Sequence, residues 1–545
     1  MDGGRIKKQK RREWMAGVGL FVYLIWFGIR IPLSHIIGDK GIGFWSVGME
    51  VFLVVSLVFS YSISKAVTVL VRYRVKRELF KNAQRIWKNA LFLAVIFGLL
   101  AAAGVFFFAD FIADVIVLEH MSYMAVVAVA PAIFLSAVMG ALKGYFQGLG
   151  FMIPVVHSKI LEKIVMCVSS LIFGMFFYDY GIKVGQFLKN EEMAAAYGAL
   201  GAAFGVTIAC VLGMIHLFFL RFIYVGARKQ RIMQDTSKNT ESGARILVLI
   251  LSTALPYAIC ALLFNINNLV DQRLYNYAIN NSGQAAIRVL HWGVYYGKYS
   301  AIIGVIAILC AMGNVSAIPK IIQSYERKEY RDAQIKLGKC VHRTVIFSVP
   351  CAVLVAVLAE PLVRLLCGGE IDTTIKLVQA GSSVILFFPL AYLFASILLR
   401  IRKLKVVIAA GLIAILVHLP IVIVLLNFTS LGIMAVVCGC MAFYLTVCVV
   451  CFLSVAKYMQ YTPEWIRTFG ITVIAAGVMG LIGMLLNKAI FMAAGEVVTL
   501  FICVLVCIIV YNVLLIVFRG VRRDELYEMP GGKIIVSIAE RLRLM

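Results

Sequence analysis

About fourteen stretches of this chain are each apolar over the ~20 residues that a helix needs to cross the ~30 Å hydrocarbon layer of a bilayer, at ~1.5 Å per residue. They lie near residues 15–34, 44–71, 89–109, 122–142, 152–178, 194–220, 246–271, 299–319, 341–359, 375–399, 406–426, 431–456, 468–487 and 497–518. A backbone inside lipid must satisfy its own hydrogen bonds, so segments of this length are helices. The expected fold class is an all-α polytopic membrane protein. Charged residues are only 14% of the chain, against about 25% in a soluble domain.

The connections alternate in charge, and basic residues in short connections are retained in the cytoplasm. One set carries Arg5 to Arg12, Arg72 to Lys88, Arg221 to Arg231, Lys320 to Lys339, Arg400 to Lys405 and Arg519 to Arg543. The opposite set is acidic or neutral, with Asp110, Asp114, Glu119, Glu191, Glu192, Glu360, Glu370 and Asp372. Fourteen spans put every basic connection on one side and both termini in the cytoplasm. The net charge of +25 therefore reads as topology and contact with anionic headgroups, not as nucleic-acid binding. The N-terminal basic run followed by an apolar segment looks like a signal peptide, but no small-residue cleavage site closes it, so it reads as a retained first helix. The tail around Ile534, Ile535, Ile538 and Leu542, with Lys533, Arg541 and Arg543 opposite, reads either as an interfacial amphipathic helix or as an unstructured end.

No G-x-x-x-x-G-K-S/T loop, H-E-x-x-H or G-x-S-x-G is present, and no connection is long enough for a soluble catalytic domain, so an enzyme is not expected. The thirteen cysteines lie mostly inside spans. With no second ligand pair near Cys438, Cys440, Cys448 and Cys451, they read as packing residues. The histidines are scattered without helical pairing; no metal and no cofactor is expected. Pro131, Pro154, Pro256, Pro350, Pro389 and Pro420 fall in or at spans and suit a transporter whose helices bend.

A charge at the bilayer centre costs ~2.5–3.5 kcal/mol, so clustered charges face a polar interior. Arg30, Glu50, Lys65, Lys143, Lys159, Glu162, Lys163, Asp271 and Lys298 are such charges, concentrated in spans 1, 2, 4, 5, 7 and 8. Snorkelling to the headgroups is the bland alternative for Lys143 and Lys159. Asp271 either lines the interior or pairs with Arg273 or Lys298. Basic residues in a cavity attract an anion, most plausibly phosphate or diphosphate.

Three segments carry a resemblance. Arg30 is followed by Ile31-Pro32-Leu33-Ser34-His35-Ile36-Ile37-Gly38-Asp39-Lys40-Gly41-Ile42-Gly43. Lys143-Gly144-Tyr145-Phe146-Gln147-Gly148 and Ser158-Lys159-Ile160-Leu161-Glu162-Lys163-Ile164-Val165 follow in the fourth and fifth spans. Together they resemble the Gram-positive polysaccharide-biosynthesis transporters, a family that includes the stage V sporulation protein B group and the MurJ-type lipid II flippases. Lys143 stands where that family has Arg, Lys298 stands where Arg is expected, and Phe44 to Glu50 departs from the family's second-span stretch.

The resemblance implies two six-helix lobes in a V around a cationic cavity plus two C-terminal helices: residues 1–225, 226–460, and 461–545 for spans 13–14 and the tail. It implies a bacterial cell-membrane transporter that flips an undecaprenyl-diphosphate-linked sugar from the inner to the outer leaflet by alternating access. Arg30, Lys298, Lys143 and Lys65 are the expected contacts to this lipid-linked anionic sugar. Either the membrane potential drives export or Glu162, Glu50 or Asp271 binds H⁺ or Na⁺ for coupling; membrane lipids are the other partner. The alternatives are a small-molecule efflux transporter of the same superfamily, an integral-membrane glycosyltransferase or polymerase, and a sporulation or cell-wall assembly protein without transport. The first calls for an acidic, aromatic cavity, against which the several cavity cations argue, and the second for a large outer loop with carboxylates, of which none is visible.

Overall fold

The computed structural model describes residues 21–22, 24–224, 226, 233, 235 and 241–521, without the side chains of 491–494. The N-terminal basic run, Arg228, Lys229, Arg231 and the candidate amphipathic tail lie outside the described residues. Every described regular element is helical, as the apolar pattern requires. Among the described residues, twelve helices are long and apolar enough to cross a membrane, or thirteen when the bent pair Ile371–Gly381 and Val384–Arg400 counts as one span. The difference from fourteen lies at Leu24–Val75, a 52-residue helical run that would be ~78 Å long if straight. Gly38 breaks it with φ 72° and ψ 170°, a conformation only glycine adopts freely.

That break falls within α1 (Arg30–Ser56), which is followed by a π-helical turn at Leu57–Tyr61 and α2 (Ser62–Val75). Then come α3 (Phe80–Phe107), α4 (Tyr123–Gly148), α5 (Met152–Leu188) and α6 (Glu192–Ile223). Next are α7 (Gly243–Asn265), α8 (Asn267–Asn281), α9 (Ala285–Gly293), a π-helical turn at Val294–Tyr299, and α10 (Ser300–Glu326). The remainder includes α11 (Tyr330–Val357), α12 (Ile371–Gly381), α13 (Val384–Arg400), α14 (Leu404–Phe428), α15 (Ile433–Met459) and α16 (Ile471–Val517), which breaks at Gly495. The eighth span thus begins near Ala285, well before the expected residue 299. Pro131, Pro256, Pro319, Pro350, Pro389 and Pro420 lie inside helices. Pro154 sits in the first turn of α5, where no helix donor is lost.

Two compact units emerge: the described residues of Met1–Ala301 with Val407–Val436, and those of Ile302–Val406 with Val437–Met545. In the first, small residues let backbones touch, which is how helices associate where lipid removes the hydrophobic drive. Gly140, Gly144 and Gly148 make a row on α4. A Cβ there would stand 2.5 Å from the Ser60 carbonyl oxygen, 2.6 Å from that of Ser64 and 2.6 Å from Val71. Ser60 donates to the Ser136 carbonyl at 2.6 Å across the same seam. In the second unit, Asn314 of α10 donates to the Pro389 carbonyl and accepts from Thr344 of α11 at 2.6 Å.

Polar contacts between connections respect the alternation of charge. Arg74 pairs with Glu241 at 2.6 Å, and Arg85 donates to the Glu241 carbonyl, joining two connections from the basic set. Lys40 pairs with Glu192 at 3.1 Å and Arg288 with Glu119, joining ends from the other set.

Candidate anion-binding site

The close approach of α1 to the α9 end is built from glycines. A Cβ on Gly43 would stand 2.5 Å from the Val289 carbonyl oxygen, one on Gly297 2.8 Å from Ile42, and one on Gly293 would overlap the Asp39 carbonyl. The π-helical turn Val294–Tyr299 is thereby pressed against the Gly38 break; single π turns of this kind recur at functional sites. All six of its residues are buried.

Arg30 sits here at 5% exposure. Its Nη1 donates to the Tyr296 carbonyl at 3.1 Å and to Ser300 Oγ at 2.8 Å, and its Nη2 donates to the Tyr296 hydroxyl at 3.3 Å. The guanidinium also lies 4.0 Å from the Tyr296 ring centre, 4.7 Å from Phe27 and 5.4 Å from Trp26. Aromatic faces are what hold a weakly hydrated guanidinium in an apolar setting. Lys298, 1% exposed, donates to Asp39 Oδ2 at 2.6 Å. Glu50, buried, accepts from Asn268 at 3.1 Å and lies within electrostatic reach of Arg30. Arg30, Lys298 and Glu50 therefore meet in one cluster, with Asp39 and Tyr296 as members that sequence reading did not assign. The buried carboxylates of Asp39 and Glu50 offset the two cations, so an incoming anion competes with carboxylates the chain already holds.

Lys143, Glu162 and Lys65 form a second cluster. Lys143 of α4 donates to Glu162 Oε2 of α5 at 2.7 Å, and Ser158 donates to Glu162 Oε1. Gly213 of α6 makes the slot: a Cβ there would stand 2.5 Å from Glu162 Cγ. Lys65 lies over the Tyr61 ring at 5.2 Å and interacts electrostatically with Lys159. The two clusters share Trp26, whose ring carries Arg30 and, at 4.4 Å, the ammonium of Lys163.

Asp271 belongs to neither cluster. Its partner is His418 of α14, at 2.7 Å and 1% exposed, rather than Arg273 or Lys298, the pairing that stood as one alternative. Arg273 instead donates to the carbonyls of Val115 and Ile116, and Lys298 is engaged with Asp39. Nor does Lys298 open its span: thirteen residues of α9 and the π turn precede it in a run that begins at Ala285. Outside the spans, burial pushes the Glu119 carboxyl up, while the Arg288 guanidinium paired with it pulls the other way.

The chain is 21% identical to stage V sporulation protein B of Bacillus subtilis (strain 168) over 96% of this chain and 98% of that protein. It is 22% identical to the lipid II flippase MurJ of the same organism over 71% of this chain and 72% of that one. The structure matches the inward closed conformation of lipid II flippase MurJ with a TM-score of 0.65 at 16% identity, covering 92% of this chain and 97% of the other. It also matches an inward-facing multidrug resistance MATE family transporter of the MOP superfamily with a TM-score of 0.60 at 13% identity, covering 81% and 94%. The fold is thus that of MurJ and MATE proteins. The family model described as polysaccharide biosynthesis protein matches residues 13–295, more than half of the chain, and the protein belongs to that family.

Proposed function

We propose that this protein flips an undecaprenyl-diphosphate-linked sugar from the inner to the outer leaflet of a bacterial cell membrane by alternating access. The observation that carries the reading is Arg30: a guanidinium 5% exposed, far along an apolar run, held by a carbonyl, two hydroxyls and aromatic faces. Such a group is costly in lipid unless it serves a polar ligand. A diphosphate suits it, because guanidinium donors match phosphate oxygens in pairs. Lys298 supplies a second cation when the ligand's phosphate takes over from Asp39. The lobes 1–225 and 226–460 alternate in this reading, while the polyprenyl tail stays in lipid and both termini stay in the cytoplasm. The MurJ-like fold and the family membership support it; the basic clusters argue against a carrier of organic cations.

Export of an anion from a negative interior gains ~2.3 kcal/mol per charge per 100 mV, which drives the step without ATP. Of the three carboxylates expected to couple an ion, Asp271 is the best supported, because its buried partner His418, at 2.7 Å, is a second side chain able to carry a proton. The ion it favours is H⁺. The test is complementation of a flippase-depleted strain by Arg30→Ala and by Lys298→Ala. Loss of rescue by both is expected, and full rescue by both overturns the reading.

A further inference from the structure

Two lysines of α5 have nothing to do in the account above. Lys159 and Lys163 flank Glu162 on the same helix and both interact with it electrostatically. Among the described residues neither ammonium has an oxygen acceptor. Lys163 has only the Met166 sulfur at 3.8 Å and the Trp26 ring face at 4.4 Å. Glu162 hydrogen-bonds Lys143 and Ser158 and acts on these two lysines only through space. Three ammonium groups around one carboxylate leave two positive charges uncompensated. Lys143 lies five residues before the end of α4 and Lys159 seven after the start of α5, so both are ~7–11 Å inside their helix ends.

We propose that Lys143, Lys159 and Lys163 form a docking site for a diphosphate group, occupied in this arrangement by the Glu162 carboxylate, from which the ligand passes across Trp26 to Arg30. The proposal rests on the flippase reading and deepens it: Glu162 is here an internal stand-in for the ligand's phosphate, not an ion-coupling group. Trp26 is the bridge, because Lys163 and Arg30 lie against the same indole. Gly213 keeps the slot narrow enough to hold Glu162 among the lysines.

The test uses the full chain in nanodiscs carrying Arg30→Gln, which removes the inner site. Binding is measured for three probes: inorganic diphosphate, undecaprenyl diphosphate, and phosphatidylglycerol nanodiscs without either. Lys163→Gln is expected to weaken diphosphate binding about tenfold, as loss of one charge-assisted contact does. Lys159→Gln with Lys163→Gln is expected to abolish it, and Lys163→Arg to keep it. Glu162→Gln is expected to tighten it about tenfold by releasing Lys143. Equal affinity in the double lysine variant and its parent, with both eluting as monodisperse protein of unchanged unfolding midpoint, overturns the proposal. So does loss of all diphosphate binding when phosphatidylglycerol is present, which would make the site one for ordinary anionic headgroups. The flippase reading fails separately: if the unsubstituted chain does not flip a lipid-linked substrate while the lysines still bind diphosphate, the docking site stands and the reading falls.

Discussion

Removing Lys298 alone, Asp39 alone, and both together gives a cycle whose outcome the structure fixes in sign and size. The pair is 2.6 Å apart, with side chains 2% and 6% exposed, so solvent screening is slight. Breaking such a pair from one side strands a buried charge, at a cost of ~3–5 kcal/mol. Lys298→Met takes from the buried Asp39 carboxylate its opposite charge, and Asp39→Leu takes it from the ammonium. The double variant strands neither, and replacement of a buried pair by apolar groups of similar volume is neutral or stabilising. The single losses therefore should not add. A coupling of at least ~3 kcal/mol is expected, more than a hundredfold in the folding equilibrium. The assay is unfolding of the purified chain in mixed detergent micelles, followed by helical circular dichroism. Additive single losses, or singles each within ~0.5 kcal/mol of the parent as for an exposed surface change, would refute the buried pair as the organiser of this turn.

Gly293→Ala places a methyl on the Asp39 carbonyl and is expected to destabilise by at least the ~1–3 kcal/mol of overpacking, read in the same unfolding assay. Asp271→Asn and His418→Leu are each expected to remove the response of transport to an imposed pH gradient; an undiminished response in both would end the coupling role of the pair. Arg288→Ala removes the group that opposes burial at Glu119, so the carboxyl titrates higher still. A carboxyl raised in the folded state contributes most below its unfolded pKa and loses that contribution as pH rises through its folded pKa. The variant should therefore lose stability toward neutral pH more steeply than its parent, and parallel stability–pH curves would contradict this.

The spans were legible because hydropathy is local: a run of apolar residues declares a helix whatever it packs against. Their ends were less so. The eighth span, expected from 299, runs from Ala285, and the charge that precedes it in sequence, Arg288, is paired with Glu119. The break at Gly38 lay inside a segment quoted for its resemblance, but nothing in the spacing shows that the first and second spans meet there without a loop. That Arg30, Lys298, Lys143 and Glu162 sit among polar or aromatic partners follows from their cost in lipid. Which partners these are was not legible. Asp39 and Lys298 are 259 positions apart, and Asp271 and His418 are 147 apart. No periodicity reaches that far, so His418 read as one of several scattered histidines. Trp26 carries no signal in the sequence, and only the packing reveals a cation on it from each of two clusters.

The most direct measurement of the central claim is flipping of a headgroup-labelled undecaprenyl-diphosphate sugar in proteoliposomes with an imposed membrane potential. The account predicts transfer faster with the chain than in protein-free vesicles, further accelerated by a potential that draws the anion outward, and lost in Arg30→Ala. Transfer no faster than in protein-free vesicles, or an Arg30→Ala chain as fast as its parent, would contradict it.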